Sequence, residues 1–129
     1  MVEEETFALF RRLALGEADW ERLPRVAIIA HVLAHVRSDA PPDARGRRQT
    51  LMRALGWKSP DPASAENALL KSLRFRGVLS VRDDEEIARE MRRLVALAGR
   101  ENIDVGDLAA SIFFWNDTVR TRWAFDYYD

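Results

Sequence analysis

Apolar side chains recur at spacings of three and four residues through most of the chain, which is the pattern of amphipathic helices. Leu108, Ile112 and Trp115 show this spacing, while residues 24–36 are apolar almost all round and predict a central buried helix. No alternating apolar and polar stretch of convincing length predicts a strand. The sequence therefore predicts an all-α protein, a small helical bundle of about six to eight helices.

Several predicted helices begin or end at residues that favour a helix terminus. Pro24 suits a first turn, where its missing N–H costs nothing. Asp83 and Asp104 are expected N-caps, because a carboxylate accepts hydrogen bonds from the free N–H groups of the first turn. Gly99 follows an apolar stripe at helical spacing and is expected to end that helix.

Two proline-rich breaks interrupt the helical pattern. Residues 38–46 contain two consecutive prolines and predict a loop, and residues 59–62 read Ser-Pro-Asp-Pro. The second break is the best candidate for a boundary between two lobes. We therefore expect an N-terminal helical lobe over residues 1–58 and a C-terminal helical lobe over residues 63–129.

Further helices are predicted on both sides of these breaks. One covers residues 3–15, and another covers residues 47–55, which places Arg47 and Arg48 at a helix N-terminus. Beyond the second break, Ser64 is expected to cap a helix that ends near residue 75, before Gly77 loosens the chain. The predicted buried stripe of this helix consists of Leu69, Leu70 and Leu73.

Composition excludes several classes of protein. The chain has 129 residues, 47% of them apolar, which suffices for a core. It has no cysteine, so disulfides, thiolate metal sites and cysteine nucleophiles are excluded. The sequence contains no run of about 18 apolar residues, so it predicts no membrane span. Its acidic first residues do not resemble a secretory signal. We expect a cytoplasmic protein with no membrane partner.

Charge is distributed unevenly along the chain, although the formal net charge is only −1. Residues 37–82 carry 10 basic and 4 acidic side chains, a balance of +6, while residues 83–129 have a balance of −5. Asymmetry of this kind predicts a surface that faces a polyanion. Only 2 of the 20 basic residues are lysine, and arginine binds phosphate bidentately. A genome that prefers arginine codons would give the same bias.

The basic residues supply the candidate nucleic-acid-binding site. Positions three apart, such as Lys71 and Arg74, share a helix face, and phosphates are attracted to helix N-termini. An ordinary solvated surface is the alternative interpretation. The candidate residues, called the basic track below, are Arg45, Arg47, Arg48, Arg53, Lys58, Lys71, Arg74, Arg76, Arg120 and Arg122.

Two other groups of residues are candidates for a metal site or a catalytic site. His31 and His35 have a spacing that can hold zinc, but Val32 stands where a metalloprotease has glutamate, and no third ligand stands out. The acidic run at residues 83–86 begins a predicted helix, where capping and the helix dipole explain it. We therefore predict no metal site and no catalytic residues.

The aromatic C-terminus allows more than one role. Helical spacing favours a core position for Trp115 and Trp123, although both could stack on bases next to the arginines of the last helix. The segment from Phe125 to Tyr128 either packs on the bundle or docks on a partner protein. A helical protein–protein adaptor that docks through this end is therefore the alternative function.

Three segments in the second half of the chain resemble a known family. They are Leu-Arg-Phe-Arg-Gly-Val-Leu at residues 73–79, the arginine-rich and leucine-rich helix at residues 85–97, and the closing block at residues 103–128 with its two tryptophans and aromatic end. In this order and spacing they resemble the small subunit, or CasB family, of the type I-E CRISPR Cascade complex. The resemblance covers residues 64–128 and is weaker upstream.

The resemblance implies a specific role in antiviral defence. Members of the family are helical, non-catalytic and need no cofactor. They sit as a pair beside the other Cascade protein subunits and the CRISPR guide RNA, and their basic surface holds the target DNA, chiefly the displaced strand. The chain would then stabilise the R-loop through phosphate contacts rather than read its sequence.

Overall fold

The computed structural model describes residues 23–56 and 68–128. In these residues 63% of the chain is helical and no strand occurs, which confirms the predicted all-α class. The six helices are α1 (Leu23–Leu33), α2 (Leu51–Leu55), α3 (Ser72–Ser80), α4 (Asp84–Leu97), α5 (Val105–Phe113) and α6 (Asp117–Tyr128). Of the predicted helices, the one over residues 3–15 lies outside the described residues.

The predicted caps of the C-terminal helices are confirmed. The Asp83 carboxylate accepts the Glu85 N–H at 3.0 Å at the start of α4, and the Asp104 carboxylate accepts the Asp107 N–H at 3.0 Å at the start of α5. Gly99 has a φ of +81° just after α4, a backbone conformation that glycine adopts without strain. Local sequence alone therefore fixes these helix ends.

The start of α2 differs from the prediction. The helix begins at Leu51 rather than at residue 47, because the Thr50 hydroxyl caps it by accepting the Arg53 N–H at 3.3 Å. The Asp43 carboxylate accepts the N–H groups of Arg45 and Arg47 at 2.8 and 2.9 Å, which holds the preceding residues in a turn that competes with helix. The predicted helix N-terminus at Arg47 is therefore wrong.

The helix predicted up to residue 75 is wrong in position. Ser64 lies outside the described residues, and the observed helix α3 starts at Ser72 and continues through Gly77 to Ser80. Before it, Leu70 is bound into the core by its backbone, since its N–H donates to Leu55 O at 3.0 Å. The predicted stripe is wrong for two of its three leucines, because Leu69 and Leu73 are 56% and 81% exposed.

One buried cluster includes residues from all six helices. Helix α1 packs against α4 and α5, as expected for a central apolar helix, and α2 packs against α6 and α4. The division into lobes at residues 1–58 and 63–129 stays a prediction, since residues 57–67 are outside the described part of the chain. In that part no helix is long and apolar enough to cross a membrane.

Aromatic rings form the centre of the C-terminal packing. The rings of Trp115 and Trp123 meet edge to face at 5.0 Å, and Phe75 stacks on Tyr127 at 4.0 Å. The indole N–H of Trp115 donates to Val81 O at 2.9 Å, so its polar atom is satisfied. Trp115 and Trp123 are 7% and 1% exposed, which confirms their predicted place in the core.

The loop after α1 is tied to the turn after α4. The Arg37 N–H donates to Arg100 O at 2.7 Å, and the Ala40 N–H donates to Ile103 O at 3.0 Å. Asp39 and Ile103 form an isolated parallel bridge at the same place. These bonds bring the chain near Arg37 beside the chain near Arg100, although 63 positions separate the two residues in sequence.

Candidate nucleic-acid interface

The predicted basic track is distributed over three parts of the structure. Its first residues lie in the loop before α2 and on α2 itself, the next lie at the start of α3 and along it, and the last two lie on α6. Lys58 lies outside the described residues. The side chains that the structure describes are exposed, with the exception of Arg120, whose side chain is only 14% exposed.

Five of these arginines form ion pairs within the protein. A carboxylate beside a guanidinium offsets its charge locally, so a phosphate must compete with it. The pairs are Arg48 with Asp39 at 3.6 Å, Arg53 with Asp126 at 3.4 Å, Arg74 with Glu90 at 3.8 Å, Arg120 with Asp117 at 2.8 Å and Arg122 with Asp107 at 3.0 Å.

Arg120 supports the fold at the start of α6. Its guanidinium carbon lies 5.6 Å from the centre of the Trp115 ring, and its hydrogen bond lowers the pKa of the Asp117 carboxyl below its ordinary value. The buried Nη1 atom of Arg120 has no hydrogen-bond partner among the described residues. The side chain is therefore held against the core rather than directed into solvent.

Arg122 joins α6 to α5. Its Nη2 atom donates to the Ser111 hydroxyl at 2.6 Å and lies 3.0 Å from the Asp107 carboxylate. Burial raises the pKa of the Asp107 carboxyl, while the charge of Arg122 lowers it. Ser111 also accepts the indole N–H of Trp123 at 3.0 Å. Arg122 therefore belongs to a hydrogen-bond network that links α5 to α6.

Three residues of the basic track are exposed and form no ion pair with any described residue. Arg45 and Arg47 follow the turn that Asp43 organises, and Arg76 lies on α3. Lys71 is exposed at the N-cap position of α3. Arg45, Arg47 and Arg76 are therefore exposed residues of the basic track whose charge no described carboxylate offsets.

The structure also reveals exposed arginines that the sequence-based track omitted. Arg37, Arg89, Arg92 and Arg100 are exposed, and none of them pairs with a carboxylate in the described residues. Three of the four belong to the C-terminal segment with a balance of −5, where neighbouring acidic residues in sequence concealed them. The charge balance of successive segments could not identify these arginines, because the packing of α4 on α1 decides which side chains surround them.

The two histidines lie beside these arginines. The rings of His31 and His35 meet edge to face at 5.3 Å. Burial lowers the pKa of His35, and the positive charges of His31, Arg100 and Arg92 lower it further. Among the described residues, no group of three or more histidine, cysteine or acidic side chains has an arrangement that could hold a metal ion.

Two residues of the acidic run at residues 83–86 make contacts that stabilise the fold. Asp83 caps α4, and the Arg25 Nε atom lies 2.6 Å from the Asp84 carboxylate. Arg25 also donates to Ile112 O at 3.1 Å, so this ion pair connects α1, α4 and α5. The contacts agree with the capping interpretation of this segment.

An apolar groove lies beside the C-terminal helix. It has a volume of about 660 Å³, and its lining includes Leu79 from α3 and Ala124, Phe125 and Tyr128 from α6. Phe125 is 73% exposed and Tyr128 is 45% exposed, so the aromatic end is only partly packed on the bundle. Arg120 and Asp117 provide the polar part of the lining.

Comparison with known proteins agrees with the resemblance found in the second half of the chain. A family model described as CRISPR-associated protein Cse2 matches residues 2–128. A search of curated proteins and a search of solved structures gave no match. Because the family match extends over nearly the whole sequence, the chain belongs to the Cse2 (CasB) family, the small subunit of the type I-E CRISPR Cascade complex.

Proposed function

We propose that this chain is a non-catalytic subunit that stabilises the R-loop formed by guide RNA and target DNA, including the displaced strand. The family is a structural subunit of Cascade. The observation that carries the finer proposal is the exposed positive charge of Arg45, Arg47 and Arg76, which no carboxylate of a described residue offsets. Guanidinium groups bind phosphate oxygens without reading bases. The chain works beside the other Cascade subunits and a second copy of itself.

The charge balance suits a subunit that acts within a larger assembly. A net charge of −1 gives the isolated chain little general attraction for nucleic acid. A local basic patch can still add phosphate contacts when neighbouring subunits hold the nucleic acid in place. Contact between this patch and the held nucleic acid is then effectively intramolecular. Loss of the patch should therefore reduce R-loop lifetime while the complex still assembles.

Neutralisation of the exposed part of the basic track is expected to weaken target binding by Cascade. The variant is Arg45→Gln/Arg47→Gln/Arg76→Gln, and up to three lost phosphate contacts predict a loss on the order of 10- to 100-fold at low salt. Target affinity of the reconstituted complex, measured by mobility shift over a salt series, checks this result. These side chains form no ion pair with the described residues, so the melting temperature of the chain should change little.

The matched control keeps the charge. Arg45→Lys/Arg47→Lys/Arg76→Lys should retain most of the affinity, because lysine also binds phosphate as a point charge. If the glutamine variant holds target DNA as tightly as wild type at physiological salt, the basic track does not contact the R-loop. A low melting temperature shared by both variants would instead identify a folding defect, and the salt series would then be repeated with single substitutions.

A protein-contact role for the aromatic end is a second candidate function. The groove lined by Leu79, Ala124 and Phe125 offers apolar surface to a neighbouring Cascade subunit. Arg120 also lines this groove, and its buried Nη1 atom has no hydrogen-bond partner among the described residues. The proposed occupant is therefore a protein segment that inserts an apolar side chain and presents a carbonyl or carboxylate oxygen to Arg120.

Phe125→Ala is expected to reduce incorporation of the chain into Cascade without lowering its stability. Truncation of a central aromatic contact in an interface typically costs about 2 kcal/mol of binding free energy, or roughly 30-fold in affinity. Co-purification with the other subunits measures the effect. Leu97→Ala is the control, since Leu97 is 41% exposed on α4 and does not line the groove. Equal incorporation of both variants and wild type would remove this role.

A further inference from the structure

One carboxylate of α4 pairs with two arginines of the surface. An oxygen of Glu90 lies 3.1 Å from Nη1 of Arg93, three residues later on the same helix, and the other oxygen lies 3.8 Å from Nη2 of Arg74 on α3. The Glu90 side chain is 15% exposed, whereas each arginine side chain is 53% exposed. Among the ion pairs of the described residues, Glu90 is the one carboxylate that two arginines share.

Glu90 is also the one polar partner of both arginines in the part of the chain that the structure describes. Other paired arginines of the basic track are held by further contacts. Arg122 donates to the Ser111 hydroxyl as well as pairing with a carboxylate. Arg120 lies against the Trp115 ring. The two arginines beside Glu90 have no such second contact, so their positive charge becomes available once Glu90 no longer offsets it.

The shared carboxylate lowers the charge that this surface presents. Two guanidinium groups and one carboxylate give a local balance of +1, and the same surface without the negative charge of Glu90 would present +2. A phosphodiester carries the same single negative charge as Glu90, so the two compete for the same donors. Glu90 belongs to the chain and is therefore always close to these donors, whereas a nucleic acid in solution is not.

We propose that Glu90 forms an autoinhibitory contact, in which it holds Arg74 and Arg93 as an internal counterion and lowers the affinity of the free chain for nucleic acid. The inference rests on the proposed function, because it describes how part of the basic track is regulated. Phosphates are dilute around the free chain, and Glu90 then keeps both arginines. Neighbouring Cascade subunits that hold nucleic acid against this face raise the effective concentration of phosphate, which takes the guanidinium groups from Glu90.

The test measures affinity of the free full-length chain for fluorescent oligo(dT) by anisotropy over a salt series. Glu90→Gln keeps the size of the side chain and removes its charge. The variant should bind about 10-fold more tightly at low salt, and its slope of log affinity against log salt should steepen by about 1–2, because two guanidinium groups become available. Exposed ion pairs contribute little to stability, so the melting temperature should change little.

A double-mutant cycle separates release of the arginines from a general change in charge. In the Arg74→Gln/Arg93→Gln background, Glu90→Gln should raise affinity by no more than about 2-fold, because no guanidinium group remains to be released. Glu101→Gln is the matched control, since Glu101 is exposed and forms no ion pair with a described residue. It removes the same charge and should also raise affinity by no more than about 2-fold, since salt screens charges that are not in contact.

Equal gains from Glu90→Gln with and without the two arginines would show a general charge effect and overturn the inference. A gain of the same size from Glu101→Gln, or an unchanged affinity of Glu90→Gln, would overturn it too. The proposed function stands in each of these cases if Arg45→Gln/Arg47→Gln/Arg76→Gln still weakens target binding by Cascade. If that triple variant binds the target like wild type, the proposed function loses its support, and the cycle alone decides the role of Glu90.

A second measurement needs no nucleic acid. Phenylglyoxal reacts with accessible guanidinium groups, an ion pair slows the reaction, and mass spectrometry gives the rate at each arginine. In the wild-type chain Arg74 and Arg93 should react more slowly than Arg76, which is exposed on α3 and has no ion-pair partner among the described residues. Glu90→Gln should raise the rates at Arg74 and Arg93 several-fold and leave Arg76 unchanged. Equal rates in wild type and variant would show that Glu90 does not hold the two arginines, whatever the affinities.

Discussion

Gly56→Ala is expected to lower the free energy of unfolding by about 3 kcal/mol, at the upper end of what overpacking of a core usually costs. Gly56 follows α2 at the point where that helix crosses α6. A Cβ atom added here would collide with the backbone oxygen of Tyr127 and lie 2.8 Å from both the Met52 oxygen and the Tyr127 Cα. The obstacles are backbone atoms rather than flexible side chains, so one helix must move.

The consequences of that movement extend into the core. Tyr127 is fully buried, its ring stacks on Phe75 at 4.0 Å, and its hydroxyl donates to Leu70 O at 2.5 Å. Displacement of α6 near Tyr127 weakens both contacts together. The φ of Gly56 is −85°, which any residue adopts, so the expected loss comes from the close approach alone. Thermal unfolding should show a melting temperature roughly 10 °C lower.

Gly77→Ala is the matched control for this prediction. Gly77 lies inside α3, and an added Cβ atom there has no heavy atom within 4 Å among the described residues. Alanine is favoured over glycine in a helix interior, so the variant should be more stable than wild type by roughly 0.5–1 kcal/mol. If Gly56→Ala melted at the same temperature as Gly77→Ala, α2 and α6 would not approach as closely as described.

Features that depend on neighbouring residues in sequence were the ones that could be predicted. The caps at Asp83 and Asp104 need only a carboxylate and the next turn of backbone, and the buried face of α4 follows from its periodic spacing. The crossing of α2 and α6 at Gly56 left no comparable signal. In the sequence, a glycine next to a break looks like an ordinary helix end. Its role in the close approach of α6 is visible only in the structure.

The misplaced start of α3 has a similar cause. Leu69, Leu70 and Leu73 have spacings that suit one helix face, yet only Leu70 is buried. Its backbone bonds to Leu55 and to the Tyr127 hydroxyl hold the chain before Ser72 in a non-helical path. Tertiary hydrogen bonds therefore override a local helical pattern here, and a pattern of three leucines cannot reveal them.

The candidate interface was predicted only in part, because charge along a sequence does not show which charges are paired in space. Arg53 and Arg74 stand in the basic segment of the chain, but each has a carboxylate partner from another helix. Arg89 and Arg92 stand in the acidic segment and have none among the described residues. The useful quantity is the positive charge left after pairing, which requires the packing of the helices.

The family resemblance supplied what local patterns could not. It depended on the order of three segments in the second half of the chain, whereas the family match extends over residues 2–128. Membership identifies the Cascade complex but assigns no role to any single arginine. The residue-level proposals therefore rest on exposure and pairing, and they can fail without any change in the family assignment.

Trp123→Ala is expected to lower the free energy of unfolding by about 3–5 kcal/mol, the usual cost when a fully buried aromatic side chain is removed. Trp123 is 1% exposed, and its ring meets Trp115 edge to face at 5.0 Å. Its indole N–H donates to the Ser111 hydroxyl, which also accepts from Arg122. The substitution leaves a cavity between α5 and α6 and removes one side of that network.

Phe125→Ala provides the comparison on the same helix, because Phe125 is 73% exposed and its truncation should change stability by no more than about 0.5 kcal/mol. Urea unfolding of both variants measures the difference, and oligonucleotide affinity tests the alternative role of Trp123 as a base-stacking residue. If Trp123→Ala unfolded like wild type but bound nucleic acid less tightly, Trp123 would be a contact residue. Loss of stability with affinity retained by the folded fraction would instead show that Trp123 acts in the packing of α6 and does not contact nucleic acid.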